Sequence, residues 1–236
     1  MGDLPLMRLT PGSKPFAYTG IDYFGPLYVT VGRHTGKRWG VLFTCMTIRA
    51  IHLHIAHSLT ADGTIMAIRR MISRRGSIRR LYSDNGTNFK GANEELLKLY
   101  HELDHQELTR RMTEMEIEWH FIPPGSPHMG GCWERLIGSV KKILGVTLKE
   151  ESPKDEILLT LFAEAEYAVN SRPLTHVSTD PSDPQCLTPN HLLIGSPSEN
   201  PFPTKFEKQN LRKQWKKSQR LAEIFWSRFY RSVQNG

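Results

Sequence analysis

The pattern of apolar residues changes period between Ala56 and Thr60, and this change sets what the chain can fold into. Upstream, Ile51, Leu53 and Ile55 alternate with His52 and His54, the two-residue period of a β-strand. Downstream, Ile65, Ile68 and Ile72 recur at helical spacing, in a segment that the Thr60 hydroxyl can cap and Gly76 can end. Earlier still, Phe16 to Phe24 reads as a strand closed by a turn at Gly25-Pro26. Val29 to Val31 gives way to the turn-rich Gly32-Arg33-His34-Thr35-Gly36, and Trp39 to Thr47 resumes as an apolar, β-branched run. With Ala50 to Ala56 these segments predict an antiparallel meander of three strands.

After the change, helices and strands alternate. Ile78 to Ser83 is short and β-like, and Ala92 to Arg110 predicts a polar helix with Leu96, Leu99 and Leu103 on one stripe. Ile117 to Ile122 is another strand, Pro123 to Gly131 a turn-rich loop, and Cys132 to Leu148 and Lys154 to Asn170 two further helices. The order βββαβαβα is that of an RNase H-like α/β fold, a mixed five-stranded sheet flanked by helices, although other folds share similar strings. Beyond Pro173 the composition turns to Pro, Ser, Thr and Asp, with a short apolar helix at Asn190 to Ile194. From Leu211 helical spacing returns, placing Leu211, Trp215, Ala222, Phe225 and Phe229 on one face among basic residues. The expected division is a core over 11–197 and a basic amphipathic helical extension over 198–236, consistent with one domain plus a tail in 236 residues.

Composition narrows the function. No stretch of about 18 apolar residues occurs, and Met1 to Pro15 lacks the apolar centre of a signal peptide, so a soluble, intracellular protein without membrane contact is expected. Cys45, Cys132 and Cys186 are widely spaced, which suits neither a disulfide framework nor structural zinc. From Lys205 onward nine Lys or Arg face only Glu207 and Glu223, so this tail carries as much charge as the +7 of the whole chain. A second basic cluster, Arg69, Arg70, Arg74, Arg75, Arg79 and Arg80, surrounds Gly76. Both suit a polyanionic partner such as DNA, with Arg74, Arg75, Lys213, Lys216 and Lys217 as candidate contacts, although charge runs are commonly no more than solvated surface.

Three acids stand where phosphoryl transfer can use them: Asp22 within the first strand, Asp84 directly after the fourth, and Glu134 at the start of the helix after the glycine-rich loop. Cleaving a phosphodiester requires charge neutralisation on the attacking and leaving oxygens, which two hard cations about 3.5 to 4 Å apart provide when carboxylates hold them. Singly, each acid is equally an ordinary residue: a strand-end acid, an Asp-Asn-Gly turn, and a first-turn acid favoured by the helix dipole. In the helix, Trp133, Leu136, Ile137, Val140, Ile143 and Leu144 form an apolar stripe. Glu134 and Lys141 lie together beside it, and Arg135 and Lys142 continue onto the open side, as contact with a nucleic-acid backbone requires. Asn85 and Asn88 are candidates to orient the Asp84 loop, and His128, in the following loop, to contact DNA or assist proton transfer. His52 and His54 fall on the polar face of a strand, so with His57 they are not read as a zinc site.

The segments Asp22-Tyr23-Phe24-Gly25-Pro26, Ser83-Asp84-Asn85-Gly86-Thr87-Asn88-Phe89 and Pro127-His128-Met129-Gly130-Gly131-Cys132-Trp133-Glu134 resemble the three motifs of integrases from LTR retrotransposons, most closely the Bel-Pao group. Asn170-Ser171-Arg172-Pro173-Leu174 and Leu187-Thr188-Pro189-Asn190-His191-Leu192-Leu193 are similar to later segments of that family. The resemblance implies that Asp22, Asp84 and Glu134 bind two magnesium or manganese ions. It also implies trimming of element DNA ends, attack of the new 3′-hydroxyl on target DNA, homo-oligomers in the full-length integrase, and action in the nucleus. The family's His-His-Cys-Cys zinc segment does not precede Asp22, and the chain stops shortly after its basic helix, so a partial reading frame or a core separated from its polyprotein is expected. The competing readings are an RNase H-type or transposase-type nuclease, and a domesticated, non-catalytic DNA-binding protein.

Overall fold

Strand β1, Tyr18–Val31, runs through the Gly25-Pro26 pair at which the sequence predicts a turn. In place of a turn there is a bulge: Phe24 pairs with Gly40 and Leu27 with Arg38 of β2, His34–Cys45, so β1 carries one extra residue. Gly25 holds φ +132° there, a conformation that side chains rarely adopt. The predicted segments 16–24 and 29–31 are therefore one bent strand. Opposite the bulge, a Cβ on Gly40 would come within 2.1 Å of the Phe24 ring. The bare glycine thus makes room for Phe24, which stacks on Phe162 with centroids 5.9 Å apart.

The computed structural model describes residues 13–84, 104–122, 127–149, 151–175, 186–196 and 214–234, and of residues 84, 121, 122, 127–135, 233 and 234 the backbone alone. Strand β3, Ile51–Ala56, completes the antiparallel meander on β2. Strands β4, Arg80–Asp84, and β5, Glu118–Ile122, extend the other side of β1 in parallel, giving the order β3-β2-β1-β4-β5. The helices are α1 Ala61–Arg75, α2 His105–Glu114, α3 Pro127–Leu148, α4 Asp155–Asn170, α5 Pro189–Ile194 and α6 Gln214–Gln234. This is the expected mixed five-stranded α/β architecture of the RNase H-like fold. The Thr60 side chain accepts from the Gly63 amide at the start of α1, and Gly76 ends that helix at φ 95°, both as their sequence positions suggest. The predicted helix over 92–110 lies partly outside the described residues, and its described part continues to Glu114.

Two apolar layers sandwich the sheet. On one face Val41, Phe43 and Leu81 pack with Ile68 and Met71 of α1 and Met112 of α2. On the other, Leu42, Leu53 and Ile55 pack with Ile137, Val140 and Leu144 of α3, Phe162 of α4 and Phe225 of α6. The C-terminal helix, an extension in sequence, buries Leu221, Ala222, Phe225 and Phe229 in this same core. Trp215, expected on that face, is 50% exposed, one turn short of the buried stripe.

Helix α4 also closes the edge of the sheet. Outward-facing amides of an edge strand invite pairing with another chain unless something covers them. Asn170 accepts from Ile51 N and donates to Ile51 O, each at 2.8 Å, and Glu166 Oε2 accepts from Leu53 N at 2.9 Å.

Candidate active site

The last parallel pair between β1 and β4 is Ile21 with Ser83, so Asp22 and Asp84 are the next rungs on adjacent strands, about 4.8 Å apart. The chain leaves β1 towards β2 and β4 towards β5, on opposite sides, which makes this gap the point where the strand order reverses. In open α/β sheets such a point forms a crevice for ligands. Asp22 turns towards α3, where Lys141 Nζ donates to its Oδ2 at 2.5 Å, with the two side chains 20% and 23% exposed. Glu134 stands seven residues before Lys141, nearly two turns and about 10 Å back along α3 on the same helix face. The backbone of Asp84 thus adjoins Asp22, and Glu134 lies on the helix whose Lys141 meets Asp22.

Helix α3 begins at Pro127, five residues before the predicted start, so His128 belongs to its first turn and not to a loop. Proline suits a first helical turn because the missing amide has no partner there. Gly130 and Gly131 each cost about 1 kcal/mol in a helix, a cost offset by the apolar stripe further along, which is packed in the core. Asn85 and Asn88 lie outside the described residues, as does Lys213. The side chains of Asp84, Glu134, Arg135 and His128 are likewise outside them, and among the described residues no group of three His, Cys, Asp or Glu is arranged to hold a metal. The donor set still fits hard divalent cations, which take carboxylate oxygens, and the ammonium seated on Asp22 marks a place that favours positive charge.

The candidate DNA contacts separate into two kinds. Lys142, Lys217 and Arg74 are exposed, and half-exposed Lys216 lies over the Trp215 ring at 5.6 Å. Arg75 is turned inward to Glu166, and Arg70 donates to His54 Nε2. Arg80 pairs with Glu118 at 2.6 Å. Half of the Arg-rich cluster is therefore engaged within the fold.

His52 and His54 are also not where alternation puts them. Helix α1 covers that face, and the two rings are 3% and 7% exposed. His52 stacks between Phe43 and His54, with centroids 6.1 and 6.3 Å away. Burial, and then the Arg70 guanidinium, lower the His54 ring to about 4, which keeps it neutral and able to accept from Arg70. Burial alone would raise the Glu166 carboxyl, but His52, Arg75 and the Leu53 amide outweigh it and hold the group below the usual carboxylate range. The sequence reading missed this cluster; its visible signal is a pair of acids, Glu164 and Glu166, among the apolar residues from Leu161 to Val169.

No family model matches the chain, and no curated protein does. Solved structures do. A chain of the simian T-cell lymphotropic virus intasome, solved in complex with the PP2A regulatory subunit B56 gamma, is 17% identical with a TM-score of 0.50, over 86% of this chain and 62% of that one. The HTLV-2 integrase catalytic core domain in complex with magnesium gives TM-scores of 0.44 in its dimeric form and 0.47 in its trimeric form, at 19% and 18% identity. These matches cover 72% and 77% of this chain and 94% and 99% of those chains. At such identities the likeness is one of fold: this chain has the RNase H-like architecture found in the intasome chain, and spans less than two thirds of that chain's length.

Proposed function

We propose that the chain is the catalytic core of an integrase of the LTR-retrotransposon type, a polynucleotidyl transferase acting on DNA. The observation that supports this reading is the Lys141–Asp22 pair, which brings α3, the helix that carries Glu134, against β1 beside the strand that ends in Asp84. Three acids from three separate elements repel one another unless cations lie between them. Asp22, Asp84 and Glu134 would hold two magnesium or manganese ions, which supply activation of the attacking oxygen and neutralisation of charge on the phosphodiester. Lys141 lies beside this centre, where its ammonium can transfer from Asp22 to a backbone phosphate as substrate enters. Lys142 and Arg135, near it on the same helix, would continue the basic track along the DNA. The five ordered motifs support the retrotransposon assignment, and with it element ends and target DNA as substrates, a homo-oligomer as the working form, and the nucleus as the place of action.

The test is metal-dependent nicking and strand joining on a short duplex, measured for the unmodified chain and for Asp22→Asn, Asp84→Asn and Glu134→Gln, with circular dichroism on each. Each amide keeps size and removes a charged ligand, so activity is lost while the fold persists. A folded Glu134→Gln protein with undiminished activity overturns the assignment of that residue.

A further inference from the structure

Helix α3 packs on β1, and Asp22 turns towards it on that side of the sheet. Two residues before Asp22, Gly20 pairs with Tyr82 of β4, and Tyr82 pairs with His120 of β5. Residues two apart on a strand share a face, as do residues paired across strands. Tyr82 packs into the apolar layer that holds α3, so Asp22, Tyr82 and His120 all lie on one side of the sheet. On the edge strand β5 this side reaches solvent: Glu118 is exposed, and the His120 side chain is 48% exposed.

The His120 ring is held in place from two directions. It stacks on buried Tyr82, with centroids 5.4 Å apart and planes 21° from parallel. Its Nε2 lies 3.3 Å from Glu118 Oε2, which also accepts from Arg80 Nε at 2.6 Å. Tyr82 is the one aromatic ring that His120 meets among the described residues. The two rings therefore form a stack whose outer end is open, one pleat below Asp22 along the strands.

We infer that His120 stacks a base of an unpaired DNA strand that passes the crevice at Asp22. Unpaired bases seat on aromatic rings, histidine included, and do so with little regard to sequence because every base has a π-face. The Glu118 carboxylate beside the ring repels phosphate, so the ring offers its face to a base and not a charge to the backbone. His120 lies two strand spacings and one pleat from Asp22, about 12 Å between backbones. That is a reach of roughly three or four nucleotides at about 3.4 Å each along a stacked strand. The contact sets which phosphate of the strand lies over Asp22. This inference rests on the reading of the crevice as a centre that acts on DNA.

The experiment is fluorescence anisotropy of the full chain with two DNA probes in magnesium, a blunt duplex and the same duplex with a short unpaired extension, repeated on His120→Ala and His120→Phe. The ring is half-exposed on an edge strand, so both variants fold, and circular dichroism checks this. The extension is expected to tighten binding by the unmodified chain by about fivefold or more, as stacking one base does. His120→Ala loses that gain, His120→Phe keeps it, and the blunt duplex binds all three proteins alike. An abasic site walked along the extension removes the gain at one position in the unmodified chain and has no further effect in His120→Ala. No gain from the extension in the unmodified chain, or an undiminished gain in His120→Ala, overturns the inference and leaves the reading of the crevice standing. Equal loss on both probes in His120→Ala, or no rescue by Phe, overturns it too, because stacking then does not carry the effect. Absence of any DNA binding by the unmodified chain overturns the reading of the crevice and this inference with it.

Discussion

The Lys141 ammonium lies 2.5 Å from Oδ2 of Asp22, joining α3 to β1 across 119 residues of sequence. Both side chains are largely withdrawn from solvent, so the pair is worth more than an exposed one and costs more to break from one side. A lysine in this place has two consequences. It shields one acid of the proposed centre when no divalent cation is bound, and it must yield that oxygen when one binds.

Replacing Lys141 by Met keeps the stem and removes the charge. Without magnesium the variant is expected to lose about 1–3 kcal/mol, the usual cost of leaving a buried acceptor unpaired. Magnesium then raises its melting temperature more than that of the unmodified chain, and at lower concentration, because nothing competes for Asp22. Thermal melts over a magnesium series measure both effects. An equal magnesium response in the two proteins would show that the ammonium does not compete for the site.

The His54 ring, lowered from 6.5 to about 4 by burial and then by Arg70, ties stability to pH. The unfolded chain takes up this proton as pH falls through 6.5 while the folded chain resists, so stability is intact above 6.5 and declines from there down to about 4. Arg70, Arg74, His52 and Glu166 are the charged or titratable groups around the ring. Glu166, held below the usual carboxylate range, loses its contribution only at the acid end of that window or below it. Denaturant melts between about pH 7 and 4.5 therefore report mainly on the histidine. His54→Gln, which can still accept from Arg70, is expected to flatten the profile; an unchanged slope would assign the pH dependence to other groups.

The cover on β3 gives a third prediction. Glu166→Leu leaves Arg75 and the Leu53 amide without their acceptor, and is expected to cost about 3–5 kcal/mol, as breaking a buried pair from one side does. Asn170→Ala, which frees Ile51 N and O, is expected to cost about 1–3 kcal/mol. Both variants expose an edge, so light scattering on warming should rise above that of the unmodified chain. If Glu166→Leu melted like the unmodified chain, the edge contacts would carry no stability.

What the sequence made legible was local. Alternation in Ile51, Leu53 and Ile55 marked a strand, helical spacing in Ile65, Ile68 and Ile72 marked α1, and the element order marked the sheet. Periodicity could not show that His52 and His54 are buried, because the helix covering them is a tertiary matter. Nor could it show that Glu166 meets Leu53, a partner 113 residues away. Gly25-Pro26 misled for a related reason: the same pair that makes a turn in isolation makes a bulge when β2 is there to pair on both sides of it. At the candidate site the sequence singled out Asp22 from a motif and Lys141 from helical spacing, but the Asp22–Lys141 pairing depends on how α3 crosses the sheet, which no spacing within the helix encodes.

Helix α6 gives the last prediction, because it is basic outside and apolar inside. A basic tail invites removal of residues 205–236 as a test of DNA binding, but Leu221, Ala222, Phe225 and Phe229 of that segment are buried in the main core. Losing a single buried Phe side chain costs about 3–5 kcal/mol, a large part of the stability of an ordinary domain, so the truncation should unfold the chain and say nothing about DNA. Charge reversal at the exposed Lys217, Arg220 and Arg228 spares the packed face. If these side chains neutralise phosphates, the triple variant binds duplex DNA at least tenfold more weakly at moderate salt. The slope of log affinity against log salt also becomes shallower by about 0.9 for each phosphate no longer neutralised. Fluorescence anisotropy over a salt series measures affinity and slope together, and a circular dichroism melt confirms the fold. A folded triple variant with the original affinity and slope would show that DNA lies on another face, leaving α6 a purely structural helix.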